Sequence, residues 1–267
     1  MAQERVPDTW RHGRAYERYV GRWSRAVAPR FVEWLAVARR RRWLDVGCGT
    51  GALCEAILDA AAPETVDGVE PSLGFLETAV DRIGGRVTFH RGDASALPID
   101  DDSMDAVVSG LVLNFVPDVD AALAEMTRVA VAGGVVGAYV WDYAERMELM
   151  RWFWDAAVDV DPGAAEYDEG TRFPLCTPDA LTGRFAAAGL SSVETTGIEI
   201  PTRFADFDDY WSPFLGGQGA APAYLMSLDD ETRDRVRDLL EERLPAASDG
   251  SISLVARAWA VRGTVGA

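Results

Sequence analysis

The chain has 267 residues, 48% of them apolar, which suits one α/β domain with elaborations and a sizeable core. Its formal net charge of −17, from 43 acidic against 26 basic residues, repels nucleic acid, whose binding needs Lys and Arg on phosphates. The start lacks the pattern of a secretory signal and the apolar run Val129–Trp141 is too short to span a bilayer, so a cytoplasmic protein without a membrane partner is expected. The three cysteines, Cys48, Cys54 and Cys176, match no zinc or disulfide framework, and no metal is expected.

In chain order, residues 13–38 read as helical in two pieces, with Ser24 a candidate cap and Pro29 in the first turns of the second. The basic run Arg39–Arg42 reads as a solvated loop before the first strand. Short apolar runs at Trp43–Val46, Val66–Val69, Val87–His90, Ala106–Ser109 and Val135–Trp141 alternate with amphipathic stretches, the pattern of a parallel sheet covered by helices. Leu53, Ile57 and Ala60 mark one helical face, and Leu73, Leu76, Val80 and Ile83 mark the next. Asp118 or Asp120 caps a third helix that stops at Gly133-Gly134. Thr177-Pro178-Asp179 starts a fourth, expected to end at Gly189 in the left-handed conformation. Val193–Ile200 and Ile252–Val261 complete seven strands. Residues 143–176 and 201–250 stand outside the alternation. Their dense aromatics form either a satellite core or a lid over a substrate pocket.

The chemistry concentrates where strands end. In Leu44-Asp45-Val46-Gly47-Cys48-Gly49-Thr50-Gly51, alternate glycines let backbone approach a ligand closely. Gly47, Gly49 and Ala52 also satisfy a loose dinucleotide pattern, so a nicotinamide-dependent oxidoreductase is an alternative. Asp45 argues against it, because an acid just before the glycines faces a cation rather than a pyrophosphate. Glu70, about 20 residues further on, has the spacing at which a carboxylate grips ribose hydroxyls; otherwise it is a surface acid at a helix start. Asp93, in Gly92-Asp93-Ala94, suits an adenine amino group or simply a turn.

These segments, together with Ser95-Ala96-Leu97-Pro98, Met104–Ser109 and Glu125–Val129 before Gly133-Gly134, resemble the successive motifs of class I S-adenosylmethionine (SAM)-dependent methyltransferases. The likeness covers about residues 40–142 and resembles the subgroup that includes ubiquinone/menaquinone-type and other small-molecule methyltransferases. It implies a single domain over 1–267: a Rossmann-like, seven-stranded, mostly parallel sheet with an antiparallel last strand, helices on both faces, and residues 143–176 and 201–250 as caps. It implies SAM contacts from Asp45, Gly47, Cys48, Gly49, Gly51, Glu70, Pro71, Asp93, Ala94, Ser109 and Leu111. Residues 13–38 resemble a cofactor-covering segment, in which Arg22 pairs with the SAM carboxylate and Tyr16 or Tyr19 covers the sulfonium; the alternative is an ordinary amphipathic helix. Asn114 falls near the transferred methyl.

Methyl transfer from a sulfonium is an in-line displacement, so the protein aligns the reactants and excludes water. Histidine is scarce: His12 and His90 are the only two, and His90 reads as structural. The candidates for catalysis are Asn114, Asp142 and Tyr19, with Asp142 a base or merely a polar residue where a strand meets solvent. Trp141, Trp211 and Phe214 suit a small apolar or planar acceptor. A SAM-binding regulatory protein without turnover is the non-enzymatic alternative.

Overall fold

The computed structural model describes residues 17–216 and 219–266, leaving Tyr16 and His12 outside the described residues. The chain divides into two compact units. A sheet unit comprises Ser24–Trp141, Leu175–Ile198 and Ala258–Ala267, and a helical unit comprises the segment up to Trp23, Asp142–Pro174 and Glu199–Arg257. The stretches singled out as insertions, 143–176 and 201–250, fall in the helical unit apart from Leu175 and Cys176.

The sheet has seven strands in the order β3-β2-β1-β4-β5-β7-β6. They are β1 Arg42–Val46, β2 Thr65–Glu70, β3 Thr88–Arg91, β4 Met104–Gly110, β5 Ala130–Trp141, β6 Ser191–Phe204 and β7 Ile252–Thr264. The first five pair in parallel, and β7 runs antiparallel to β5. The last four residues of β1 are buried in succession, as expected for a central strand covered on both faces. Helices α1 Arg22–Leu35, α2 Ala52–Ala60, α3 Leu73–Ile83 and α4 Val119–Val129 provide that cover. Their inward faces carry Phe31 and Leu35, Leu53 and Ile57, Leu76 and Ile83, and Leu123 and Met126.

Local signals set several boundaries. Asp118 caps α4 by accepting from the Ala121 amide at 2.9 Å. Thr177 caps the helix Pro178–Ala187 by accepting from Ala180 at 3.3 Å, and Gly189 follows at φ +83°.

Four expectations change. The N-terminal region is a π-helical turn, Glu17–Gly21, running directly into α1, so Ser24 is a buried interior residue rather than a cap. Pro29 sits in the helix interior, on an exposed face. Arg42 is not in a solvated loop: it opens β1, its amide and Nε donating to Asp105 at 2.8 and 3.0 Å, which holds the Asp105 carboxyl below its ordinary pKa. Further on, α4 ends at Val129 and β5 begins at once, with Gly133 at φ +75° inside the strand.

In the helical unit, α5 Glu148–Val160, α6 Glu169–Arg172, α8 Phe207–Trp211, α9 Ala220–Ser227 and α10 Asp230–Arg243 surround an aromatic cluster (the intervening α7 is Pro178–Ala187, in the sheet unit). Phe153 stacks on Phe214 with centroids 4.6 Å apart, and Tyr19 meets Phe214 edge-on at 5.3 Å. Polar tips at the margins are tied down: Tyr210 donates to the Leu149 carbonyl at 2.8 Å, and the Trp154 indole donates to buried Glu169.

Candidate functional site

The carboxyl ends of β1, β2 and β4 bring the expected residues of the sheet unit to one edge, where ligands gather in open α/β sheets. Asp45 is 1% exposed. Its Oδ2 accepts from the Cys54 thiol at 3.2 Å, while its Oδ1 is buried without a partner among the described residues. Burial raises its pKa to about 7; the Cys54 hydrogen bond opposes that shift and Glu70 adds slightly to it. A buried carboxylate with one empty oxygen can accept a cation or a proton.

After Asp45 the chain turns back on itself. Gly47, Gly49 and Gly51 all have φ between +53° and +85°, a region costly for side chains. A Cβ at Gly47 would lie 2.5 Å from Val112, so the turn after β4 packs directly on this loop. At Gly49 an added Cβ would find only a backbone oxygen, at 4.0 Å, which leaves that face open to a ligand. Gly47 and Cys48 donate to the Val69 carbonyl at 2.8 and 3.0 Å, fastening the loop to β2.

Glu70, at the end of β2, braces the same loop. Its Oε2 accepts from the Gly49 amide at 3.1 Å and its Oε1 from the Ser72 amide at 3.0 Å. Each oxygen keeps a further lone pair for a hydroxyl donor. Burial raises its pKa and the two amides partly offset this. Pro71 follows, exposed. Asp93 is also exposed and closes a turn, its Oδ1 accepting from Ser95 at 2.8 Å with half-buried Ala94 between them.

Beyond β4 the geometry tightens. Ser109 is fully buried, and its hydroxyl has no partner among the described residues. Leu111 is held at φ +63°, a strained conformation fixed by its amide bond to the Tyr139 carbonyl at 2.8 Å. In the 3₁₀ turn Leu113–Phe115, both polar atoms of the Asn114 amide are buried without partners among the described residues. Buried groups of this kind are rare in folded proteins.

The other candidates have different settings. Asp142, 2% exposed, accepts from Arg257 Nε at 2.8 Å and from the Glu145 amide at 3.1 Å. Its charge is thus paired within the helical unit. Tyr19 is buried, its hydroxyl has no partner among the described residues, and its pKa is raised first by burial and then by Glu169, so it is a phenol donor and not a base. His90 pairs with Asp67 at 2.8 Å. In the helical unit, Arg22 donates to Asp209 at 3.0 Å, and Trp211 and Phe214 lie within the aromatic cluster. Trp141, at the end of β5 in the sheet unit, is 2% exposed. Cys54 and Val112, which shape the loop, carry no sequence signal of their own. A helix residue nine positions after Asp45 is simply a core residue until the turn is built.

Comparison with known proteins agrees with this geometry. The family described as methyltransferase domain matches residues 44–137. The chain is 34% identical over 167 residues to a demethylmenaquinone methyltransferase of Roseiflexus castenholzii, covering 57% of this chain and 68% of that one. It is 37% identical over 189 residues to a ubiquinone/menaquinone biosynthesis C-methyltransferase of Methylobacterium nodulans, covering 63% and 74%. In fold it resembles a putative methyltransferase from an antibiotic biosynthesis pathway of Anabaena variabilis, with TM-score 0.61 and 19% identity over 88% of this chain and 96% of that one. Among the described residues no helix is long and apolar enough to cross a membrane.

Proposed function

Because this chain belongs to the class I SAM-dependent methyltransferases, in the ubiquinone/menaquinone-like subgroup, and methylates a small molecule, we propose that Asp45 is the anchor for the cationic end of SAM. The nicotinamide alternative falls away with that membership. The observation that carries the proposal is the empty, buried Oδ1 of Asp45 beside a glycine loop open at Gly49. When bound, SAM supplies an electrophilic methyl on sulfur. Glu70 accepts the ribose hydroxyls through the lone pairs left by Gly49 and Ser72, with Pro71 beside it. Asp93 and Ala94 border the adenine. Gly47, Cys48, Gly51, Ser109 and Leu111 border the methionine portion, and the strained Leu111 fixes the wall that Val112 presses against Gly47.

We further propose that the acceptor is a small planar molecule that brings its own ionised or readily ionised nucleophile, as an acidic phenol or quinol ring does. Asp142 is held by Arg257 and His90 by Asp67, and burial raises the pKa of the Tyr19 phenol, which favours an acceptor that needs no base from the chain. Asn114 is the group that orients the acceptor by hydrogen bonds, since its amide can both donate and accept. The whole chain works as one methyltransferase, with the sheet unit carrying the donor and residues of the helical unit, Trp211 and Phe214 among them, influencing acceptor choice. Labelled-methyl transfer from SAM into a series of quinols and phenols of graded acidity tests this. The expected result is a rate that tracks the ionised fraction of each acceptor and collapses in Asn114→Ala while SAM affinity holds. Transfer restricted to neutral aliphatic amines or alcohols would refute it.

A further inference from the structure

The carboxylate of Asp45 is held by the helix that follows the glycine turn. Cys54 is the third residue of α2 and is fully buried. Its thiol donates to Asp45 Oδ2 at 3.2 Å, while Asp45 Oδ1 has no partner among the described residues. The Cys54 amide belongs to the first helical turn, whose N–H groups lack acceptors within the helix. Burial raises the Asp45 pKa, and Cys54 opposes it twice, through its thiol and then through that amide. Glu70, the neighbouring carboxylate, acts in the same direction as burial.

A second thiol stands beside the first. Asp45 and Gly68 are lateral neighbours in the β1–β2 register, on strands about 4.8 Å apart, and project to the same face. A Cβ at Gly68 would lie 3.0 Å from Cys48 Sγ, so glycine leaves on that face the space the sulfur fills. Cys48 and Cys54 are hydrogen-bonded through their side chains. That bond and then burial push the Cys54 thiol well above its ordinary value. For Cys48 the same bond works downward, and burial with Asp45 and Glu70 carries the net shift upward. Both thiols therefore keep their protons at neutral pH. Such thiols are poor nucleophiles but constant donors.

A buried cysteine is ordinarily a small apolar filler. Filling space does not require its S–H to be aimed at a buried carboxylate, nor to take one oxygen and leave the other empty. We propose that Cys54, backed by Cys48, is a positioning residue of the donor site: by holding Asp45 Oδ2 it fixes the carboxylate with Oδ1 offered to the cation. This role rests on Asp45 being the anchor for the cationic end of SAM. As a consequence, the thiol helps set the pH at which the site becomes anionic. Serine at this place keeps a donor, whereas alanine removes it and leaves the amide and the helix intact.

Two titrations of the full chain test it. The Asp45 carboxyl is followed in ligand-free protein by carbon-13 NMR, and SAM affinity by calorimetry, both between pH 5.5 and 8. The proteins are wild type, Cys54→Ala, Cys54→Ser and Cys176→Ala, with thermal midpoints recorded for each. Cys54→Ala should raise the Asp45 titration midpoint by about one pH unit. It should therefore bind SAM about tenfold more weakly than wild type at pH 6, with the gap narrowing toward pH 8. Cys54→Ser should return both quantities close to wild type. Cys176→Ala removes another buried thiol of the sheet unit, and should lower thermal stability without moving the Asp45 midpoint or the pH profile of SAM binding. An unmoved Asp45 midpoint in Cys54→Ala, with any SAM deficit equal at every pH, would overturn the proposal and reduce Cys54 to packing. The anchor itself survives that failure if wild-type SAM affinity still follows the Asp45 titration. If the Asp45 midpoint moves in Cys54→Ala but SAM affinity follows it in no protein, the anchor has failed and the positioning role falls with it.

Discussion

The edge of the sheet unit and the aromatic cluster of the helical unit handle buried polarity in opposite ways. At the sheet edge, Asp45 Oδ1, the Ser109 hydroxyl and the Asn114 amide are all buried and unmatched, beside a strained Leu111. In the helical cluster most polar tips are satisfied internally: Tyr210 on a carbonyl, Trp154 on Glu169, Tyr224 on Asp161 and Asp142 on Arg257. Burial by itself therefore says little about function. Unmatched burial with open backbone nearby marks a ligand site, whereas matched burial marks architecture. The Tyr19 hydroxyl and the side chains of Arg22, Trp23 and Thr202 are among the exceptions in the helical unit, with buried polar atoms that find no partner among the described residues.

The contrast breaks most sharply at Asp45. Asp45→Asn should weaken SAM binding by about 100-fold or more, because it removes the charge opposite a buried cation. The same change should stabilise the ligand-free protein at pH 8. The folded pKa of about 7 lies above the ordinary value of 3.8, so the group favours folding most when protonated. That contribution declines as pH rises from about 4 and is absent above about 7, where folded Asp45 carries an uncompensated charge. Removing the charge should recover on the order of 2–4 kcal/mol, read from denaturant unfolding at pH 8. A protein that gains stability while losing its ligand is the mark of a functional residue.

Arg257 provides the opposite case. Arg257→Ala leaves Asp142 buried without its cation and should cost about 3 kcal/mol of stability by denaturant unfolding. SAM affinity measured well below the unfolding transition should be unchanged. If methyl transfer instead showed a new ionisation in its pH profile with stability intact, Asp142 would be a working base rather than a structural one.

A smaller effect is expected in the aromatic cluster. Phe214→Leu keeps an apolar side chain against Phe153 and should cost about 1–2 kcal/mol. Its acceptor KM should rise severalfold with the SAM dissociation constant unchanged. Equal loss of both would reduce Phe214 to a folding role.

The edge proposed to hold the donor is legible in the sequence because it is local. A strand, a glycine turn and an acid at a fixed spacing suffice to place Asp45, Gly47, Gly49 and Glu70 on one edge, and the parallel order of β1, β2 and β4 does the rest. What escaped depends on contacts between distant segments. Asp142 read as a candidate base because its partner, Arg257, is 115 positions away. Asp209 lies 187 positions from Arg22, and no periodicity connects them. Ser24 looked like a cap because it is a serine before an apolar stretch, yet the π-turn supplies the first turn of the helix upstream of it. The pairing of Cys54 with Asp45 appears only when the loop has folded back on itself.

The most direct test of the account is the pH dependence of SAM binding, followed by calorimetry between pH 5.5 and 7.5 in buffers of different ionisation enthalpy. Across the lower part of that range the ammonium of SAM stays charged, since α-amino groups titrate near 7.7–8.0. A cation on Asp45 requires the carboxylate, so wild type should lose about tenfold in affinity per pH unit below 7 and release one proton on binding. Asp45→Asn should bind weakly at every pH and release none. Equal wild-type affinity at pH 5.5 and 7.5, with no proton released, would contradict Asp45 as the cation anchor.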